Sequence, residues 1–199
     1  MGTRMVGARV RDRMSTVIDI GCGKYGGDES IPYLLEEFDP DLLLGFDPNL
    51  SPGDIETPGF LVPAGARAEV RIEKSAVWTY DGEVAFEKAS TSSRIRDGVG
   101  GLPKVPCVDF LRLVREHGPA LVVKMDAEGA EWTLLPALVE AELDAHVSLL
   151  WVEWHCRLCR RGSGDLLGHR EGCESTGRNA RARLELIEQL RCEVHPWNR

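Results

Sequence analysis

The chain has 199 residues, 43% of them hydrophobic and 28% charged, so one domain over 1–199 can bury a sizeable core. Its net charge of −8, from 32 acidic against 24 basic side chains, argues against a nucleic-acid partner, because phosphate-backbone binding depends on Lys and Arg displacing counterions. No apolar run reaches the roughly 18–20 residues of a membrane span and no signal-peptide core opens the chain, so the expectation is a cytoplasmic protein with no membrane partner.

In chain order, "TVIDIG" at 16–21 is a short β-branched run stopped by glycine, the pattern of a strand buried on both faces. "ESIPYLLEEF" follows with helical spacing at Ile31, Leu34, Leu35 and Phe38, and "LLLGFD" is a second buried strand ending at Asp47. The segment "AEVRIEKSAVWTYDGEVAFEKAS" alternates apolar and polar residues around Asp81-Gly82, which predicts a hairpin at or near a sheet edge. "VDFLRLVREHG" then predicts a helix closed by Gly118, "ALVVKMD" a buried strand, "EWTLLPALVEAEL" a helix, and "VSLLWVEWH" another strand. A polar Cys/Arg-rich loop is expected at 156–179, with a final helix "ARARLELIEQLR" leading into "CEVHPW". This alternation predicts an α/β fold with a mainly parallel, doubly wound sheet and helices on both faces.

Gly21, Gly23 and Gly26 form G-x-G-x-x-G between the first strand and the first helix. Such a turn lets a ligand approach the backbone beside the N–H groups and positive dipole end of a helix. Asp47, twenty-one residues beyond Gly26, is placed to hold adenosine ribose hydroxyls whether the ligand is a nicotinamide dinucleotide or another adenosine cofactor. Asp19, inside the strand, separates the two: a carboxylate beside the turn disfavours a pyrophosphate and suits the sulfonium and ammonium of S-adenosylmethionine.

A second set of polar residues ends the later strands. "VVKMDAEGAEW" supplies Lys124, Asp126, Glu128 and Glu131, and "LLWVEWH" supplies Glu153 and His155. If those strands are neighbours, Asp126, Glu153 and His155 converge beside the glycine turn as ligands for Mg²⁺ or as an acid and base, with His155 the best base on its intrinsic pKa. Glu128 and Glu131 also fit simple helix N-terminal charge, with Gly129 serving the turn.

The segments "VIDIGCGKYGGDES", "LLLGFDP", "SAVWTYDGEVAF", "VVKMDAEGAEWTLL" and "LLWVEWH" together resemble the FkbM family of S-adenosylmethionine-dependent methyltransferases over roughly 16–155. The resemblance implies a Rossmann-like class I methyltransferase fold, S-adenosylmethionine as donor, and O-methylation of a hydroxyl on a sugar or other small molecule. It also implies that Asp19, Gly21 and Gly23 contact the methionine part and Asp47 the ribose. The competing readings are an NAD-dependent oxidoreductase and a non-catalytic S-adenosylmethionine-binding or interaction module.

The late residues Cys156, Cys159, His169 and Cys173 offer four ligands for Zn²⁺ in a loop with little apolar content, against the alternative of solvent-facing free thiols.

Overall fold

The computed structural model describes residues 16–23, 30–51, 65–88, 93–155 and 176–197. Gly26, Cys156, Cys159, His169 and Cys173 lie outside the described residues. Six strands form a wholly parallel sheet: β1 (Thr16–Ile20), β2 (Leu42–Phe46), β3 (Glu69–Glu73), β8 (Leu121–Met125), β9 (Val147–Val152) and β10 (Glu193–Pro196). Their spatial order is β10-β9-β8-β1-β2-β3. From β1 in the middle of the sheet the chain winds outward through β2 and β3, then crosses back to β8 on the other side of β1. The β1/β8 boundary is therefore the switch point at which doubly wound sheets open a crevice beyond their strand ends.

The central strands explain themselves. All five residues of β1 and of β8 are buried, which is why both read as near-continuous apolar runs rather than alternating ones. Successive side chains still go to opposite faces. Val17, Leu43 and Val122 pack with Ile31, Leu34 and Leu35 of α1 (Ser30–Phe38) on one face. Ile18, Leu44, Phe46, Val123 and Leu150 pack on the other, against Phe110 and Val114 of α2 (Phe110–His117) and Leu134, Leu135 and Leu138 of α3 (Glu131–Glu140). Leu186 of α4 (Thr176–Ile187) joins that second face. Outer strand β3 alternates exposed Glu69, Arg71 and Glu73 with partly buried Val70 and Ile72, and such charges blunt a free edge.

The predicted hairpin at Asp81-Gly82 does not form. β4 (Ala76–Trp78) and β5 (Gly82–Glu87) belong to a second sheet of order β4-β7-β5-β6, with β6 at Arg94–Ile95 and β7 at Lys104–Asp109. β7 lies between the two expected partners, parallel to β4 and antiparallel to β5, so that Ala76 and Gly82 both register with Cys107. Asp81 does not close a two-residue turn. Its carboxylate instead accepts the N–H of Asp109 at 3.0 Å and pairs with Arg112 at 2.8 Å, tying the corner to the start of α2. The same stretch also divides differently, because "EVRIE" is β3 of the parallel sheet and the chain changes sheets at Lys74-Ser75.

The last helix begins at Thr176 and ends at Ile187, earlier at both ends than expected. Its C-terminal continuation is pulled away by Asp144, whose carboxylate accepts from the backbone N–H of Arg191 at 2.8 Å and from its Nε at 2.9 Å. That contact aims the chain into β10, which pairs parallel to β9. No helix among the described residues is long and apolar enough to cross a membrane.

The Arg191 contact holds the Asp144 carboxyl below its ordinary value of 3.8. A depressed carboxylate contributes stability that is complete above the unfolded-state pKa and is lost as pH falls through the folded one. Thermal melts should therefore show an acid-side loss of Tm below about pH 4, and Asp144→Asn should have a lower Tm at pH 7 with a smaller loss on acidification. Parallel acid-side profiles for the two proteins would contradict this.

Candidate functional site

The strand ends at the switch point hold most of the residues singled out from the sequence. Gly21 follows β1 with φ +80°, and its N–H donates to the Phe46 carbonyl at 2.8 Å. A Cβ there would stand 1.9 Å from the Asp126 backbone oxygen, so glycine is required both by the left-handed backbone and by the approach of β8. Asp47 follows β2, is 6% exposed, and accepts the Asn49 N–H at 2.7 Å. Asp126 follows β8, with its N–H on the Ile20 carbonyl at 2.9 Å, and Glu153 follows β9, with its N–H on the Met125 carbonyl at 2.9 Å.

These residues enclose a cavity of about 260 Å³. The parallel-sheet strand ends line it with Asp47, Asn49, Lys124, Asp126, Glu128 and Glu153 among apolar Ile20, Phe46, Pro48 and Ala127, with Gly21 and Gly23 at the turn; the second sheet adds Ala76, Val77, Phe86 and Ile95, with Ser75 and Ser93 beside them. Trp197, one residue beyond β10, also lines it, its backbone N–H on the Val152 carbonyl at 3.0 Å. Ser75, Asn49 and Trp197 were not anticipated. Nothing in a local pattern marks a residue that becomes part of a site only when a second sheet or a distant strand arrives beside it.

Asp19 corrects the sequence reading. It does not line the cavity and is fully buried. One carboxylate oxygen accepts from Ser30 Oγ at the start of α1, and the other lies 3.2 Å from Lys124 Nζ on the neighbouring strand. Lys124 is 1% exposed; it donates to the Gly21 carbonyl at 2.7 Å, lies 3.7 Å from Asp126, and sits 5.5 Å from the centre of the Trp197 ring. Burial acts to neutralise this ammonium, but Asp19 and Asp126 outweigh it and raise its pKa. The charge of Asp19 is thus spent on Lys124 and reaches a ligand only through it.

His155 is also set back from the cavity, at 6% exposure. Its Nε2 faces Glu128 at 3.5 Å, Asp126 at 3.6 Å and Glu153 at 3.7 Å, while Nδ1 faces Glu131 at 3.3 Å. Burial on its own would lower the imidazole pKa, yet Glu131, Glu128 and Asp126 together push it up to about 10. An imidazolium so held does not take a further proton at neutral pH, which argues against the role of base expected for His155. Burial raises Glu128 to about 7 and also raises Glu153.

Glu131 and Glu128 are more than helix-end charges. Glu131 is fully buried in the first turn of α3 and bridges two backbone donors, Gly129 N–H at 2.9 Å and His155 N–H at 2.6 Å. The expected turn at Gly129 is present, with φ +105° at Gly129 and +49° at Glu128, and it carries the Glu128 side chain back toward His155. The donor atoms of Asp126, Glu128 and His155 all lie within 4.8 Å of one another. Glu128 therefore takes the place that the sequence reading gave to Glu153 in the candidate metal group.

Comparison with protein-family models, curated proteins and solved structures returned no match for this chain.

Two substitutions test this framework. Lys124→Met leaves the buried Asp19 carboxylate unpaired and should cost about 3–5 kcal/mol, much of it recovered in Lys124→Met/Asp19→Asn, as read by chemical denaturation. Gly21→Ala should cost at least about 1 kcal/mol from the backbone alone, with a further loss from the contact with Asp126. Unchanged denaturation midpoints would contradict either placement.

Proposed function

We propose that this chain is an S-adenosylmethionine-dependent methyltransferase acting on a hydroxyl of a sugar or other small molecule. The observation that carries the reading is the charge of the cavity. Among the described residues it is lined by the carboxylates of Asp47, Asp126, Glu128 and Glu153 and by one cation, Lys124, already engaged by Asp19 and the Gly21 carbonyl. Such a site favours the sulfonium and ammonium of a methyl donor and opposes the pyrophosphate of a nicotinamide dinucleotide. The discriminating charge is thus that of the four cavity carboxylates, not that of Asp19.

The remaining contacts fit the same ligand. Asp47, at the end of the strand next to β1, is an acceptor for ribose hydroxyls. Gly21 and Gly23, which line the cavity at the turn, suit the methionine portion, and the second sheet offers apolar surface to the rest of the donor and to the acceptor. The likeness of "VVKMDAEGAEWTLL" and "LLWVEWH" to FkbM motifs supports the assignment.

A bound methyl donor would supply the methyl group, its C–S bond breaking as the acceptor's C–O bond forms, and a cavity carboxylate would take up the hydroxyl proton. Glu153 and Glu128 are the candidates, both raised by burial toward the range in which a carboxylate accepts a proton effectively. Lys124 and the imidazolium of His155 hold the carboxylates in position, so the protein's contribution is alignment together with a nearby proton acceptor.

Isothermal titration with S-adenosylmethionine, S-adenosylhomocysteine and NAD tests the proposal. Both adenosyl ligands should bind and NAD should not, and Asp47→Ala should weaken the adenosyl ligands about ten- to a hundredfold. Transfer of a labelled methyl group to a panel of sugars and polyols should fall about a hundredfold in kcat for Glu153→Gln with donor affinity retained. Tight NAD binding without a response to the adenosyl pair would overturn the reading. Donor binding with no transfer to any acceptor would leave a binding module.

A further inference from the structure

We propose that Asp126, Glu128 and His155 form a binding site for one divalent transition-metal ion. The inference starts from the imidazole. His155 is more than nine-tenths buried, yet neither ring nitrogen closes a hydrogen bond among the described residues. Nε2 points into three carboxylates at 3.5, 3.6 and 3.7 Å, beyond ordinary hydrogen-bond length. Two ligand atoms that share a cation through bonds of about 2.0–2.2 Å stand about 3.0–3.5 Å apart. The spacing around Nε2 is close to that of atoms arranged about an ion.

Charge and support agree with this, the ion taking at Nε2 the place of the proton that the same carboxylates otherwise hold there. Four carboxylates, from Asp126, Glu128, Glu131 and Glu153, surround a ring that supplies at most one positive charge, and the nearby Lys124 is shared with Asp19. Buried Glu131 has an oxygen 3.3 Å from Nδ1, on the side of the ring from which a carboxylate orients an imidazole ligand. Glu131 is itself fixed by two backbone N–H groups. Asp126 and Glu128 line the cavity, so the ion's remaining coordination positions face the space where an oxygen-bearing ligand would lie.

The donor set also selects the ion. One imidazole with two carboxylates suits borderline Zn²⁺, or Mn²⁺ with its looser demand on ligand geometry, better than Mg²⁺, which favours an all-oxygen shell with several waters. This replaces the Mg²⁺ site at Asp126, Glu153 and His155 expected from the sequence, and it does not depend on the methyl-donor reading.

The test is titration of the full, chelator-treated chain with Mn²⁺ alone, with bound ion read from loss of the free-ion electron paramagnetic resonance signal. One Mn²⁺ per chain should bind, Zn²⁺ should displace it, and Mg²⁺ at equal concentration should not. Glu128→Gln should weaken binding at least about tenfold and Glu131→Gln about ten- to a hundredfold, while Cys156→Ser/Cys159→Ser should leave it unchanged. Glu128 is partly exposed at the cavity, so its amide variant alters the donor without opening the core, and melting of each variant confirms the fold. Absence of saturable Mn²⁺ binding, undiminished binding in folded Glu128→Gln, loss in the cysteine variant, or displacement by equal Mg²⁺ would each overturn the assignment.

Discussion

The buried pair between Asp19 and Lys124 is the constraint around which this molecule is arranged. The two residues are register partners across the β1–β8 boundary, and both lie almost wholly out of water. Removing two charges from solvent is costly, so the pair holds only where further bonds complete it. Those bonds are the Ser30 hydroxyl at the head of α1, the Gly21 carbonyl at the turn, and the more distant Asp126 at the end of β8. A slip of one residue in the β1–β8 register would send the lysine to the opposite face and leave the carboxylate alone. One ion pair thereby ties strand register, the glycine turn and the helix start into a single arrangement.

The cavity depends on that arrangement for one wall and on the second sheet for the other. β3 to β4 is the point where the chain leaves the parallel sheet, and Ser75, Ala76 and Val77 line the cavity immediately after the crossing. The result is a space with its carboxylates at the strand ends and mainly apolar surface from the second sheet. Beneath the acidic wall, Glu131 and His155 link the first turn of α3 to the end of β9. The carboxylates near them lie in the short turns that follow β8 and β9, braced from below by Glu131 in the first turn of α3.

Much of this was legible in the residues. The central strands announced themselves as short apolar runs because both faces are buried, and each helix showed the spacing of a one-sided apolar stripe. The convergence of Asp126, Glu153 and His155 also followed from reading two strands as neighbours, which β8 and β9 are. The second sheet was not legible in this way. Alternation around Asp81-Gly82 identifies strands but not partners, and the partner of both, β7, lies over twenty residues further on. Glu128 was ambiguous for a related reason: the left-handed turn that sends it toward His155 is a property of the backbone, shared with the expected glycine turn.

What the sequence by itself determined was the periodicity: which segments are strands and helices, and that acidic residues gather at strand ends beside a glycine turn. These are local properties, settled by side-chain spacing and by backbone preference at single positions. What only the tertiary structure decided was the environment of each charge. Asp19 turned out to be consumed by Lys124, His155 to be caged by four carboxylates behind the cavity, and the ligand-facing charge to belong to Asp47, Asp126, Glu128 and Glu153. The physical reason is that the state and reach of an ionisable group depend on its burial and on neighbours brought in from distant parts of the chain.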